Sequence, residues 1–207
     1  MCRWLRLLAV VTWFSFFSQP GFAVEPGSQG KVYQDPATGL SVTKPDGWTV
    51  MDGEKLRASV SQVGAEPLVA FFKFDPTKVA EGAFIVNPFQ NPQIVVTVVK
   101  AETELMEFAQ QAIAQAAPSG AKPTQPPKIV QFNGREWVKW ILLAPINVQS
   151  SSSPEGMLSA IYNESYAHQQ GGRLIFVGLF CTGSMAPVYQ PVVEQLMQSI
   201  SLAGVKI

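Results

Sequence analysis

Two runs of strand-forming residues meet at Asn133-Gly134, and that junction constrains the fold more than any other short stretch of the chain. Lys128–Phe132 precedes it and residues 135–144 follow it. A two-residue Asn-Gly link accepts positive φ at both positions, which matches the twist of paired antiparallel strands. Residues 157–167 and 173–181 repeat the arrangement about Gln170-Gly171-Gly172. In the first of these, Leu158, Ala160, Tyr162 and Tyr166 alternate with Ser159, Asn163 and Ser165, which predicts one apolar and one wet face. Residues 173–181 are apolar at both parities, which places that strand in the middle of a sheet covered on each side.

The remaining segments fit around these hairpins. Residues 31–35 and 39–44 read as short strands about the turn Pro36-Ala37-Thr38-Gly39, and Pro45-Asp46-Gly47 is a second turn before an extended Trp48-Thr49-Val50. Residues 54–63 fit either a short helix or a loop, whereas 68–74 form a compact apolar run expected to be a strand buried on both faces. Gln93–Lys100 is rich in β-branched residues and predicts another strand. Leu105, Phe108, Ala109, Ala112, Ile113 and Ala116 recur at helical spacing, so residues 103–117 read as an amphipathic helix. Thr103 is its expected N-cap, with Glu104 and Glu107 in the first turn. Residues 118–127 form a Pro-rich connector and 150–153 a flexible link. A closing helix spans 188–201, with Pro191 expected in its first turn. Strands joined by short turns, with two helices between and after them, specify an α+β fold: a mainly antiparallel sheet with helices packed on it.

The first 23 residues carry an address. Arg3 and Arg6 precede an apolar run over 7–17, then Pro20-Gly21 and the small residues of a cut after Ala23. About 11 apolar residues fall short of the roughly 20 that span a bilayer, so 1–23 reads as a cleaved signal peptide, with an uncleaved anchor as the alternative. The expected organisation is a signal peptide (1–23), a flexible segment (24–30) and a single α+β domain (31–207). The compartment is extracytoplasmic: periplasm, extracellular space or thylakoid lumen. No later segment is predicted to cross a membrane. Loss of Arg3 and Arg6 takes the net charge from zero to about −2. No run of Lys or Arg remains, which argues against nucleic-acid binding.

Reactive side chains are few. With Cys2 in the leader, Cys181 is the remaining thiol, and its place at the end of an apolar run predicts burial rather than reactivity. The sole histidine, His168, shares a strand face with Glu164 but stands about 13 Å from it, too far for one metal or a dyad. Ser184 lacks a Gly-x-Ser-x-Gly elbow and fits the turn before the last helix. Trp137 and Trp140 fall on opposite strand faces and are expected in the core. The sequence therefore predicts no catalytic, cofactor-binding or metal-ligating residues.

The order of elements resembles the Mog1/PsbP-like superfamily, which includes DcrB-type bacterial envelope proteins. The resemblance is carried by Tyr33-x-Asp35-x-x-x-Gly39-Leu40-Ser41-Val42-x-x-Pro45-x-x-Trp48. It continues in Leu105 to Phe108, Asn133-Gly134-Arg135-Glu136-Trp137, Gly172-Arg173-Leu174 and Ser199-Ile200. It implies an α/β/α sandwich and a non-enzymatic accessory role, as in extrinsic photosystem II subunits, envelope proteins and a small GTPase-binding nuclear protein. It transfers no catalytic residue, because the shared positions are turn and core residues.

The leading functional expectation is an exported, non-catalytic accessory or interaction protein of the envelope or thylakoid lumen, without a cofactor. Its candidate partner contact is Phe84, Ile85, Val86 and Phe89, on a Pro-interrupted stretch carrying unusual apolar surface, and an envelope or membrane-associated protein is the expected partner. The alternatives are a small-molecule or lipid binding module, with a pocket between sheet and middle helix, and a small hydrolase using Ser184 or Cys181. The leader makes one sharp prediction. Intact-mass analysis of the protein recovered from its own compartment should find a chain beginning at Val24; a chain retaining residues 1–23 would establish the anchor instead.

Overall fold

The strand patterns close into one broad antiparallel sheet and a small satellite sheet. The computed structural model describes residues 32–36, 38–52, 65–73, 92–100, 103–147 and 158–202. In chain order the elements are β1 (Val32–Asp35), β2 (Leu40–Thr43), β3 (Thr49–Asp52), β4 (Ala65–Phe72), β5 (Gln93–Lys100) and α1 (Leu105–Ala116). There follow β6 (Lys122–Pro123), β7 (Lys128–Phe132), β8 (Arg135–Asn147), β9 (Leu158–Gln170), β10 (Arg173–Thr182), α2 (Ala186–Ser199) and β11 (Ser201–Leu202). The large sheet runs β3-β4-β5-β10-β9-β8, and the outer side of β8 is shared by β6 and β7. The small sheet runs β1-β2-β11. Every pairing among these strands is antiparallel.

Both hairpin turns have the backbone their sequences dictate. Asn133 and Gly134 sit at φ 51° and 71°, Gly171 and Gly172 at 57° and 71°, and the strands pair directly across them. Two successive positive φ values give the turn a hand that continues the sheet twist. Strand β10 lies between β5 and β9, and every residue from Leu174 to Cys181 is buried. Alternation along it feeds two cores. Leu174 and Phe176 meet Phe108, Ala109 and Ala112 of α1. Ile175, Val177, Leu179 and Cys181 meet Val193, Leu196 and Met197 of α2 and the small sheet. The result is helix, sheet, helix: the expected α/β/α sandwich. Gly178 leaves room for its neighbours, since a Cβ there would stand 2.8 Å from Phe180 Cε2 and 3.0 Å from Phe176 Cε1.

Several local expectations are corrected. The face of β9 bearing Asn163 and Ser165 is buried, not wet; Trp140 of β8 pairs opposite Ser165, and the Ser165 hydroxyl donates to Asn163 Oδ1. Helix α1 begins at Leu105, and no side chain caps it, so Thr103 is not its N-cap. Helix α2 begins at Ala186, two residues earlier than the periodicity suggested, because a 3-10 turn at Gly183–Met185 leads straight into it. Pro187 takes the N-terminal place, and Pro191 lies inside the helix, where it forgoes one backbone bond on the exposed face. The predicted connector 118–127 contains the two-residue strand β6. The signal and flexible segments, residues 54–63, the link at 150–153 and the partner-contact residues Phe84, Ile85, Val86 and Phe89 lie outside the described residues. No helix among the described residues is long and apolar enough to cross a membrane.

The β7–β8 turn also ties the chain's end to the sheet. Asn133 Nδ2 donates to the carbonyls of Gln198 (2.7 Å) and Ile200 (2.8 Å), the last acceptors of α2. Arg135 Nη2 donates to Leu202 O at 2.7 Å, fixing β11. Asn133→Gly keeps the turn and loses the two bonds, for an expected cost of about 1–2 kcal/mol. Asn133→Ala additionally strains the positive φ by about 1–2 kcal/mol more. Urea denaturation of the two variants and the wild type checks the order; an Asn133→Gly variant as stable as the wild type would show that the turn, not the tie, is what Asn133 provides.

Candidate functional site

Strand β9 places Tyr162, Glu164, Tyr166 and His168 on the face that meets α2, because alternate residues share a side. Leu179 and Cys181 of β10 lie opposite Glu164 and Tyr162, while Ile141 and Lys139 of β8 lie opposite Glu164 and Tyr166. Helix α2 closes over this patch with Gln190 and Glu194.

Glu164 has no solvent exposure. Its Oε2 accepts the Tyr162 hydroxyl at 2.6 Å, and its Oε1 takes both the Tyr166 hydroxyl and the Lys139 ammonium. Gln190 Nε2 donates to the Tyr162 oxygen at 2.5 Å. Lys139 Nζ stands 3.8 Å from Glu194 Oε1 and 5.2 Å from the centre of the Tyr166 ring. Each partner offsets part of the cost of burying the carboxylate. Burial, then the hydrogen bond to Glu164 and its charge, raises the Tyr162 hydroxyl above the ordinary phenol range; burial and then the Glu164 charge do the same to Tyr166. Both phenols are thereby held as donors. Burial first, and the Glu164 charge second, push the Cys181 thiol up to about 12. A thiol held protonated in this way is not a nucleophile at neutral pH.

The other sequence candidates are kept apart. His168 pairs with Ile175, six residues along β10 from Cys181, or about 20 Å. Its Nδ1 is 2.8 Å from the Glu136 carbonyl, and its ring lies 5.1 Å from that of Trp137. Ser184 is exposed in the 3-10 turn before α2, 3.2 Å from Thr182 Oγ1. The structure thus brings Glu164 and Cys181 to one patch and leaves His168 and Ser184 outside it. Among the described residues no three His, Cys, Asp or Glu side chains converge as a metal site would require. On the opposite face, Trp140 lies 6.1 Å from Phe108 and 5.8 Å from Phe176, ring centre to ring centre. These rings pack at the interface between α1 and the sheet.

The neighbours of Glu164 are Tyr162, Tyr166 and Lys139, none of them singled out as its partner from the sequence. The pattern Tyr162-x-Glu164-x-Tyr166 was legible as one strand face; Lys139 and the residues of α2 required the tertiary register.

The ion pair should behave as a coupled unit. Lys139→Met leaves Glu164 buried without its cation and should cost about 3–5 kcal/mol. Adding Glu164→Leu to that variant should recover most of the loss. A double-mutant cycle by chemical denaturation should give at least about 1.5 kcal/mol of coupling, whereas additive effects would show that the pair contributes nothing jointly.

No protein-family profile matches the chain, and no curated protein does. Solved structures do. Cyanobacterial PsbP (CyanoP) from Synechocystis superimposes with a TM-score of 0.55 at 11% identity, over 86% of this chain and 96% of its own. The Ran-binding protein Mog1p of Saccharomyces cerevisiae gives 0.50 at 12%, over 84% and 95%. LpqN of Mycobacterium tuberculosis, involved in cell envelope biogenesis, gives 0.50 at 10%, over 89% and 99%. At such identities the likeness speaks for architecture alone: this chain has the Mog1/PsbP-like fold.

Proposed function

We propose that this chain is an exported accessory protein of the cell envelope or thylakoid lumen that works by contact with a protein partner and catalyses no reaction. The observation that carries the reading is the fate of its reactive groups. Glu164 is sealed beneath α2 with donors on both oxygens, Cys181 is buried and protonated, and His168 and Ser184 stand apart from them and from one another. Acid–base or nucleophilic catalysis needs such groups within hydrogen-bond reach of each other and of a substrate. Two proteins with this fold support the reading: one is named for binding Ran, the other for cell envelope biogenesis. The leader sequence supports export over a nuclear role.

Two measurements test it. A fluorophosphonate probe should leave Ser184 unmodified, and iodoacetamide at pH 8 should leave Cys181 unmodified until the protein unfolds. In-cell cross-linking should join the full chain to a discrete protein of the same compartment. Rapid labelling of either residue in the folded protein would establish a reactive site and remove the non-catalytic reading; absence of any cross-linked species would remove the partner.

A further inference from the structure

Strand β7 is an open edge. It pairs with β8 along one side, and among the described residues no strand pairs with its other side. Lys128, Ile129 and Gln131 are exposed, and Ile129, at 56%, is among the most exposed large apolar residues described. Val130 and Phe132, which share a face with Lys128 and oppose Ile129 and Gln131, rest half-buried on the core beneath α2. Pro126-Pro127 precede the strand and Asn133-Gly134 end it, so the open ladder is five residues, about 17 Å, long.

Exposed edges are ordinarily blunted by short strands, lysines, a proline, a bulge or an inward charge; the strand's one lysine, Lys128, stands at its first position and the four residues after it carry no charge. Strand β7 has continuous register with β8 from Lys128 to Phe132 and no proline or glycine. It is also stiff. The type of turn at Asn133-Gly134, the Asn133 bonds to Gln198 and Ile200 and the Arg135 bond to Leu202 hold the hairpin against α2 and β11. An edge held in its bound shape beforehand gives up little conformational entropy when a partner arrives.

Charge selects the occupant. Segment 122–132, which forms the whole β6–β7 edge, contains Lys122 and Lys128 and no Asp or Glu. Both lysines are exposed, and the ion pairs found among the described residues go to Lys139. A second copy of this chain would bring the same two cations and no carboxylate. We infer that β7 is a docking edge for an extended segment of a protein partner, added as a further antiparallel strand. That segment carries an acidic residue beside Lys128 and an apolar residue against Ile129. Main-chain bonds supply its attachment, and the side-chain pairs across the edge supply its choice. This rests on the partner-binding role above and names the surface that performs it.

The test titrates the 15N-labelled full chain with a doubly capped peptide of sequence Thr-Val-Thr-Val-Asp, whose last two residues fall opposite Ile129 and Lys128 in antiparallel register, and with the same peptide carrying Lys for Asp. Amide shifts and slowed hydrogen exchange should appear in residues 128–132, and the acidic peptide should bind about tenfold tighter at low salt, with the preference shrinking in high salt. Ile129→Lys, at an exposed position, should weaken binding about tenfold and leave the rest of the spectrum unchanged. Shifts centred elsewhere, no shifts at about 1 mM peptide, or equal binding of both peptides would overturn the inference. A dimer in sedimentation that Ile129→Lys abolishes would assign the edge to a second copy and overturn it too. Cross-linking separates the two levels: a partner captured equally by wild type and Ile129→Lys sinks the edge alone, while no capture by wild type sinks the partner-binding role.

Discussion

Strand β10 cannot be exposed on either side, and the rest of the architecture follows from that. Eight consecutive residues, Leu174 to Cys181, are buried. A strand apolar at both parities must be paired along both edges and covered on both faces. Its edges are taken by β5 and β9, which are adjacent to it through a tight hairpin on one side and a long connection on the other. Its faces require two layers, and the chain supplies two amphipathic helices, one before the hairpins and one after. Helix α1 uses small residues, Ala109, Ala112 and Ala116, so its axis approaches the aromatic face of Trp140 and Phe176 closely. Helix α2 packs Val193, Leu196 and Met197 against the other face, with Ile175, Val177 and Leu179 of β10.

An apolar layer would let α2 slide or rotate with little penalty; polar groups do not. Gln190 has one phenol to meet, Tyr162, and that phenol is itself committed to Glu164. Glu194 reaches toward the same ammonium that Glu164 holds. Near the helix's start Trp48 meets Tyr189 edge to face at 5.7 Å, and at its far end Asn133 takes the carbonyls of Gln198 and Ile200. A buried ion pair is weak evidence for net stability, since its desolvation offsets much of its attraction. Its contribution here is angular: each alternative seating of α2 would strand a buried charge or donor.

The strand boundaries were legible because their signals are local. Gln93–Lys100 and Lys128–Phe132 run as their β-branched residues indicate, and both glycine-bearing hairpin turns adopt the φ their residues favour. What failed depended on distant neighbours. Asn163 and Ser165 look solvated from alternation alone, and become buried only because β8 brings Trp140 across from Ser165. Pro191 looks like a first-turn proline until Pro187 and the 3-10 turn ahead of it take that place. Strand β11 is two residues long and exists because β2 offers Leu40 and Ser41 as partners. The buried site divided the same way: the tyrosines flanking Glu164 share its strand, whereas Lys139 lies 25 positions earlier and Gln190 26 later, joined to it by register.

Identities of 10–12% to proteins of the same fold show what such an architecture asks of its sequence. It asks for the two-sided strand, the hairpin turns and the helix stripes, and many residue combinations satisfy each. None of those demands concerns the surface, so the fold leaves the choice of job to exposed groups. In this chain Glu164 and Cys181 are drawn inward beneath α2. What remains outside on one sheet edge is backbone, two lysines and an isoleucine. Groups of that kind are suited to an extended chain, which they meet through its peptide bonds and through side-chain pairs across the edge.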